Sequence, residues 1–120
     1  MTAPGDVVDD ELSVDRELLL EVERQGPAAT VSVRGELDAS TAPDLAELCH
    51  SVHADGARDL VIDLTDTSFL DSSGLRALIE AHRLFSDGGN LALSHASEPV
   101  RRLLEITGLD DYFTLDAAGS

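Results

Sequence analysis

The sequence has no lysine and no tryptophan, a single cysteine, and only three phenylalanines and one tyrosine. Without lysine, a Walker-A nucleotide loop, Schiff-base chemistry and a lysine-dependent phosphoryl receiver are all excluded. With Cys49 alone, no intramolecular disulfide can close. No apolar stretch approaches the roughly 20 residues that cross a bilayer, and no basic segment followed by an apolar run opens the chain. A cytoplasmic, reducing setting is therefore expected. Scarce aromatics leave the packing to Leu, Val, Ile and Ala.

Acid is what the chain has in excess. Asp and Glu number 24 against 8 basic residues, all of them arginine, for a formal net charge of −16. Such a field repels nucleic-acid phosphates and anionic lipid, so no nucleic acid and no membrane is expected as a partner. It suits a basic protein face and fast, salt-sensitive association. At 120 residues and 42% hydrophobic content, the chain is expected to form one domain with one core. That leaves little material for a deep active site.

Residues 1–16 carry Asp6, Asp9, Asp10, Glu11 and Asp15 and are expected to form a flexible acidic tail. The folded domain is expected over 17–116, with 117–120 a flexible end. Residues 18–24 alternate, with Leu18, Leu20 and Val22 on one face. After Gln25-Gly26-Pro27 a second alternation places Ala29, Val31, Val33 and Leu37 together, which predicts an antiparallel hairpin. Thr41 reads as a helix N-cap, with Pro43 in the first turn and Leu45, Leu48, Cys49 and Val52 on the apolar stripe. The nearly continuous apolar run at 59–64 predicts a central strand covered on both faces. A turn-like stretch from Thr65 to Asp71 precedes a helix over 73–86, whose apolar face is Leu75, Leu78, Ile79, His82 and Phe85. Leu91-Ala92-Leu93 predicts a short strand. A third helix follows Ser97, buries Val100, Leu103, Leu104 and Ile106, and stops at Gly108. Tyr112 to Leu115 read as a last strand or edge segment. The order β-β-α-β-α-β-α predicts an α/β fold, a mixed but mostly parallel sheet flanked by helices, with an N-terminal hairpin.

The segment Asp63-Leu64-Thr65-Asp66-Thr67-Ser68-Phe69-Leu70-Asp71-Ser72-Ser73-Gly74-Leu75 joins a buried strand to an amphipathic helix, where sites of open α/β sheets concentrate. Two readings of Ser72 follow from its chemistry. Its hydroxyl can accept a backbone N–H of the first turn, Asp-Ser-Ser then being simply a capping sequence with Gly74 relieving close packing. Alternatively, it can carry a phosphate, adding about −1.5 to −2 charges at an end where the helix dipole favours anions. A partner adapted to an uncharged hydroxyl would then be expelled while the fold survives.

Phe69-Leu70-Asp71-Ser72-Ser73-Gly74-Leu75 resembles the signature of the STAS domain in bacterial anti-sigma factor antagonists. Gly35-Glu36-Leu37-Asp38 resembles that family's second landmark. Pro99-Val100-Arg101-Arg102-Leu103-Leu104 with Thr107-Gly108-Leu109 resembles its third helix and exit. The resemblance covers about residues 18–115 and implies the STAS fold. It also implies a regulatory rather than catalytic protein that binds an anti-sigma factor with a kinase-like ATPase fold and so frees a sigma factor. It implies inactivation by phosphorylation of the first serine of Asp-Ser-Ser-Gly, Ser72, with Ser73 as the neighbouring alternative, and reversal by a serine phosphatase. The partner-binding residues so implied are Asp38, Asp71, Ser72, Ser73 and Gly74. Arg76, where relatives often have a small residue, is expected to pair with Asp71, with a partner carboxylate or with the Ser72 phosphate.

Three other readings compete with this one. A serine-nucleophile enzyme meets the obstacle that Leu70-x-Ser72-x-Gly74 lacks the first glycine of a nucleophile elbow, and His50, His53, His82 and His95 fall into no triad spacing. A STAS subunit of a lipid-transport or stress-sensing assembly keeps the fold and changes the partner. Asp63, Asp66 and Asp71 could suggest a metal, but no His or Cys joins them at ligand spacing, so no metal and no cofactor is expected. His50 and His53 are expected to be exposed, His82 packed, and Cys49 buried.

Overall fold

A computed structural model describes residues 18–109 and 113–116. The expected acidic tail, the C-terminal end and Tyr112 lie outside the described residues. The chain forms β1 (Leu18–Gln25), β2 (Ala28–Leu37), α1 (Ala42–Ala54), β3 (Asp59–Asp63), β4 (Thr67–Leu70), α2 (Ser72–Phe85), β5 (Asn90–Ser94), α3 (Glu98–Thr107) and β6 (Thr114–Asp116). The sheet runs β1-β2-β3-β5-β6, with β4 paired to β2 beyond the end of β3. Only β1–β2 is antiparallel, with Leu18 opposite Gly35 and Gln25 opposite Ala28; the other pairs are parallel.

Alternation along the strands sorts the core to one side of the sheet. Ala29, Val31, Val33 and Leu37 of β2 are buried, as are Leu60 and Ile62 of β3 and Leu91 and Leu93 of β5. Each connection β2–α1–β3, β4–α2–β5 and β5–α3–β6 advances one place across the sheet in the same direction. Right-handed crossovers then set all three helices against that one face. The helices complete the core with Leu45, Cys49 and Val52 from α1, Leu75, Leu78 and Phe85 from α2, and Val100 and Leu104 from α3.

Several expectations need correction. β3 is not covered on both faces: Val61 and Asp63 are only half-buried, so its apolar run has one core side. The stretch read as a turn contains β4, which joins β2 at Gly35–Leu37 after a register shift between Gly35 and Glu36. Gly35 sits at this bulge with φ 112°, a value that residues with a Cβ rarely adopt, and its N–H donates to the Asp66 carbonyl at 3.0 Å. Val22, expected inside, is 39% exposed on the edge strand, and Ile106, expected inside, is 73% exposed on α3. Thr41 does hold the N-cap position of α1, but its side chain makes no capping bond.

Candidate functional site

The site is built around the end of β2. Leu37, the last residue of that strand, is fully buried, and its carbonyl accepts the Asp71 N–H at 3.2 Å. This bond seats the start of α2 against the end of β2. Asp71 is extended (φ −112°, ψ −169°), and its Oδ1 accepts the N–H groups of Ser73 at 2.9 Å and Gly74 at 3.0 Å. Its carbonyl accepts the Leu75 N–H at 2.9 Å. Asp71 is therefore the N-cap, and Ser72 is the first helical residue.

That corrects the expectation that the Ser72 hydroxyl caps the helix. Asp and Ser are equally good capping types. The choice falls to the residue whose backbone the strand holds extended, and Leu37 holds Asp71. Ser72 is exposed, and its hydroxyl makes no hydrogen bond to another described residue. Ser73 is half-buried. Gly74 is buried, and a Cβ there would lie 2.5 Å from the Leu37 carbonyl oxygen and 2.8 Å from Leu70 Cδ1. The strand end thus requires the glycine of Asp-Ser-Ser-Gly.

Asp38 follows Leu37 directly, so the same strand end brings it to the corner. Its Oδ1 collects the Ser40 N–H at 3.0 Å, the Ser40 hydroxyl at 2.9 Å and the Thr41 N–H at 3.1 Å. The Ser40 hydroxyl bond is the largest influence holding its carboxyl below the usual value of 3.8. Desolvation opposes it as the second-largest influence, and the nearby Thr41 hydroxyl and the two backbone N–H groups lower the carboxyl further by smaller amounts. Asp38 is thus a carboxylate fixed in direction by its own loop.

Arg76 is exposed and makes no ion pair with Asp71 or any other described residue, so the expected Asp71 pairing is absent in the unmodified protein. It lines a shallow groove of about 230 Å³ between α1 and α2 with Ala39, Pro43, Ser73 and Glu80. There it remains available to a partner carboxylate or to a phosphate.

The other chemistry-bearing residues lie elsewhere. His53 is half-buried, not exposed, and meets Phe85 edge-on at 5.0 Å between ring centroids. His50 is exposed, and His82 packs edge-on against Phe113 at 5.6 Å. His95 Nδ1 lies 2.8 Å from Ser94 Oγ and 3.9 Å from Asp63 Oδ1. Both contacts use one ring nitrogen, so these three form no relay, and no described histidine bonds to Ser72. Asp63 Oδ1 is taken by the Thr65 hydroxyl and N–H, and Asp66 faces Arg34 at 3.5 Å. Among the described residues no cluster of three or more His, Cys, Asp or Glu side chains could hold a metal ion. Cys49 is buried, and burial pushes its thiol up to about 12.

Two residues of the corner escaped the sequence reading. Thr41, read as a cap, is buried and bonds instead to the strand end; the Asp-x-Ser-Thr spacing, which favours an Asx turn, was the available signal. Phe69 is 46% exposed on β4. No alternation signalled it: Ser68 and Phe69 are both exposed between buried Thr67 and Leu70.

With this geometry in hand, comparison with known proteins gives one answer. A STAS domain profile matches residues 20–118. The chain is 35% identical over 95 residues to the anti-sigma-B factor antagonist of Staphylococcus aureus, covering 78% of this chain and 88% of that protein. It is 39% identical over 88 residues to the anti-sigma-B factor antagonist of Bacillus subtilis, covering 72% and 80%. The crystal structure of an anti-sigma factor antagonist from Mycobacterium paratuberculosis superposes with a TM-score of 0.76 at 35% identity, covering 84% of this chain and 86% of that one. The chain belongs to the STAS-domain family, among its anti-sigma factor antagonists.

Proposed function

We propose that this chain binds an anti-sigma factor with a kinase-like ATP-binding fold through Asp38, Asp71, Ser72, Ser73, Gly74 and Arg76, and that phosphorylation of Ser72 ends the binding. The observation that carries this reading is the division of labour at the corner. Asp71 caps the helix, which leaves the Ser72 hydroxyl exposed and uncommitted at the first helical position.

In the proposed transfer, Ser72 Oγ attacks the γ-phosphorus of ATP held by the partner. The Oγ–P bond forms, the bond from phosphorus to the ADP leaving oxygen breaks, and the hydroxyl proton passes to a base of the partner. A serine phosphatase reverses the change by directing water at the phosphorus: the water oxygen bonds to phosphorus, the Oγ–P bond breaks, Oγ regains a proton and inorganic phosphate leaves. While unmodified, the antagonist occupies the anti-sigma factor and the sigma factor is free, in the cytoplasm where ATP is at hand.

The geometry alters how a phosphate would be held. The Ser73 and Gly74 N–H groups already serve Asp71, so the phosphate cannot use them without displacing the cap. It would gain the helix dipole but face the Asp71 carboxylate, two opposed effects each of order 1 kcal/mol at an exposed site. The fold therefore tolerates the modification. A partner surface closed over Ser72 and Asp71 has no such offset and meets two adjacent negative groups.

The test mixes the protein with an anti-sigma kinase of this type and ATP and maps the phosphate by mass spectrometry. Modification at Ser72, lost in Ser72→Ala, with weakened binding by Ser72→Asp, supports the proposal. Phosphate confined to Ser73 or to any other site of the wild-type chain overturns it.

A further inference from the structure

Thr41 is buried, with 2% of its surface exposed, yet its hydroxyl does not cap the helix that it precedes. Oγ1 accepts the Asp38 N–H at 2.8 Å and lies 2.8 Å from the Glu36 carbonyl, to which it donates. It also stands 3.1 Å from Asp38 Oδ1, while the Thr41 N–H donates to that same oxygen at 3.1 Å. One side chain therefore grips the backbone on both sides of Leu37, before it at Glu36 and after it at Asp38. From the opposite flank, Asp71 grips Leu37 itself.

From this arrangement we infer that Thr41 is a positioning residue for partner recognition: it fixes the Asp38 carboxylate in the orientation that a cationic group of the anti-sigma factor meets. The inference rests on the partner reading above. Asp38 Oδ1 is saturated by donors from Ser40 and Thr41. Oδ2 receives no hydrogen bond from the described residues, so it is the oxygen left to accept from a partner. A carboxylate held in this way loses less rotamer freedom on binding than a free one. The charge is also kept in place, since the converging donors favour its ionised form.

A valine at position 41 matches threonine in shape but removes the oxygen. It leaves the Asp38 N–H and the Glu36 carbonyl without that partner, which loosens the loop while retaining the Thr41 N–H. Ser40 offers a gentler probe, because it is exposed and its hydroxyl serves only Asp38 among the described residues.

The test measures affinity for the anti-sigma factor by calorimetry for the wild type, Thr41→Val, Thr41→Ser, Ser40→Ala and Asp38→Asn. It also follows the Asp38 carboxyl titration by carbon NMR. Thr41→Val is expected to weaken binding about tenfold and to raise the Asp38 titration toward its ordinary range. Thr41→Ser should restore both, and Ser40→Ala should move both in the same direction by less. In the Asp38→Asn background, Thr41→Val should cost little further affinity. An equal loss in both backgrounds, or an unmoved Asp38 titration in both Thr41→Val and Ser40→Ala, overturns the inference. Should Thr41→Val fail to fold, Ser40→Ala decides by the same two readouts. If the wild type does not bind the anti-sigma factor, the partner reading fails and with it the recognition role, whereas the titration alone still reports whether Thr41 holds Asp38.

Discussion

Gly74 lies against Leu37 so closely that a methyl group on its Cα would stand 2.5 Å from the Leu37 carbonyl oxygen. That oxygen also accepts the Asp71 N–H, so it cannot retreat without breaking the bond that seats the helix. The start of α2 and the end of β2 are thus one mechanical unit. Asp38 leaves it on one side and Ser72 on the other.

Gly74→Ala tests this contact directly. Overpacking against fixed backbone is expected to cost about 1–3 kcal/mol, read as a lower urea midpoint. Because the clash falls at the corner, amide shifts should concentrate at Leu37, Asp38 and residues 71–75. A midpoint equal to the wild type would show that the corner yields freely.

Asp71 and Ser72 should separate cleanly in stability. Asp71→Ala removes the cap and is expected to cost about 1 kcal/mol, whereas Asp71→Asn retains most of it. Ser72→Ala should stay within about 0.5 kcal/mol of the wild type, since an exposed, uncommitted hydroxyl is lost. Denaturant curves decide; a larger loss from Ser72→Ala than from Asp71→Ala would return the capping role to Ser72.

Cys49 should be silent to thiol reagents in the folded protein at pH 8 and react only on unfolding. Burial holds its thiol neutral up to about 12 in the native state, against an ordinary value of 9.0. The native state therefore keeps a proton that the unfolded chain releases. Its contribution to stability is fully present below about 9 and declines as pH rises toward 12. A Cys49→Ala variant should show a shallower alkaline decline, measured by urea titration between pH 8 and 10. An identical slope would assign the decline to other groups.

Arg76→Ala should leave stability within about 0.5 kcal/mol, because Arg76 has no ion pair among the described residues. If Arg76 meets a partner carboxylate or the Ser72 phosphate, the same change weakens anti-sigma factor binding or alters the phosphorylation rate. Both quantities unchanged would remove Arg76 from the site.

Much of this was legible along the chain. Alternation at 18–24, broken by Leu19, and at 29–37 specified the hairpin, and the helical spacing of Leu45, Cys49 and Val52 specified α1, because period alone sets which side chains share a face. Asp71-Ser72-Ser73-Gly74 could be located as a helix start for the same local reason. β4 was not legible. Its four residues gain their strand conformation from pairing with Gly35–Leu37, about 30 positions earlier in the chain, and nothing within Thr67–Leu70 announces that pairing. His53 was placed outside for a similar reason: Phe85, which covers it, belongs to another helix.

For the Asp-Ser-Ser-Gly corner, the sequence by itself determined that a capped helix would begin near residue 72 and that a glycine would be needed close by. It could not determine which residue caps, since aspartate and serine serve equally well in isolation. Tertiary structure decided that. The Leu37 carbonyl holds Asp71 extended, so its carboxylate takes the helix N–H groups and the Ser72 hydroxyl is left unbonded among the described residues. A cap is a local preference, but the choice between two adjacent candidates is made by the strand they touch.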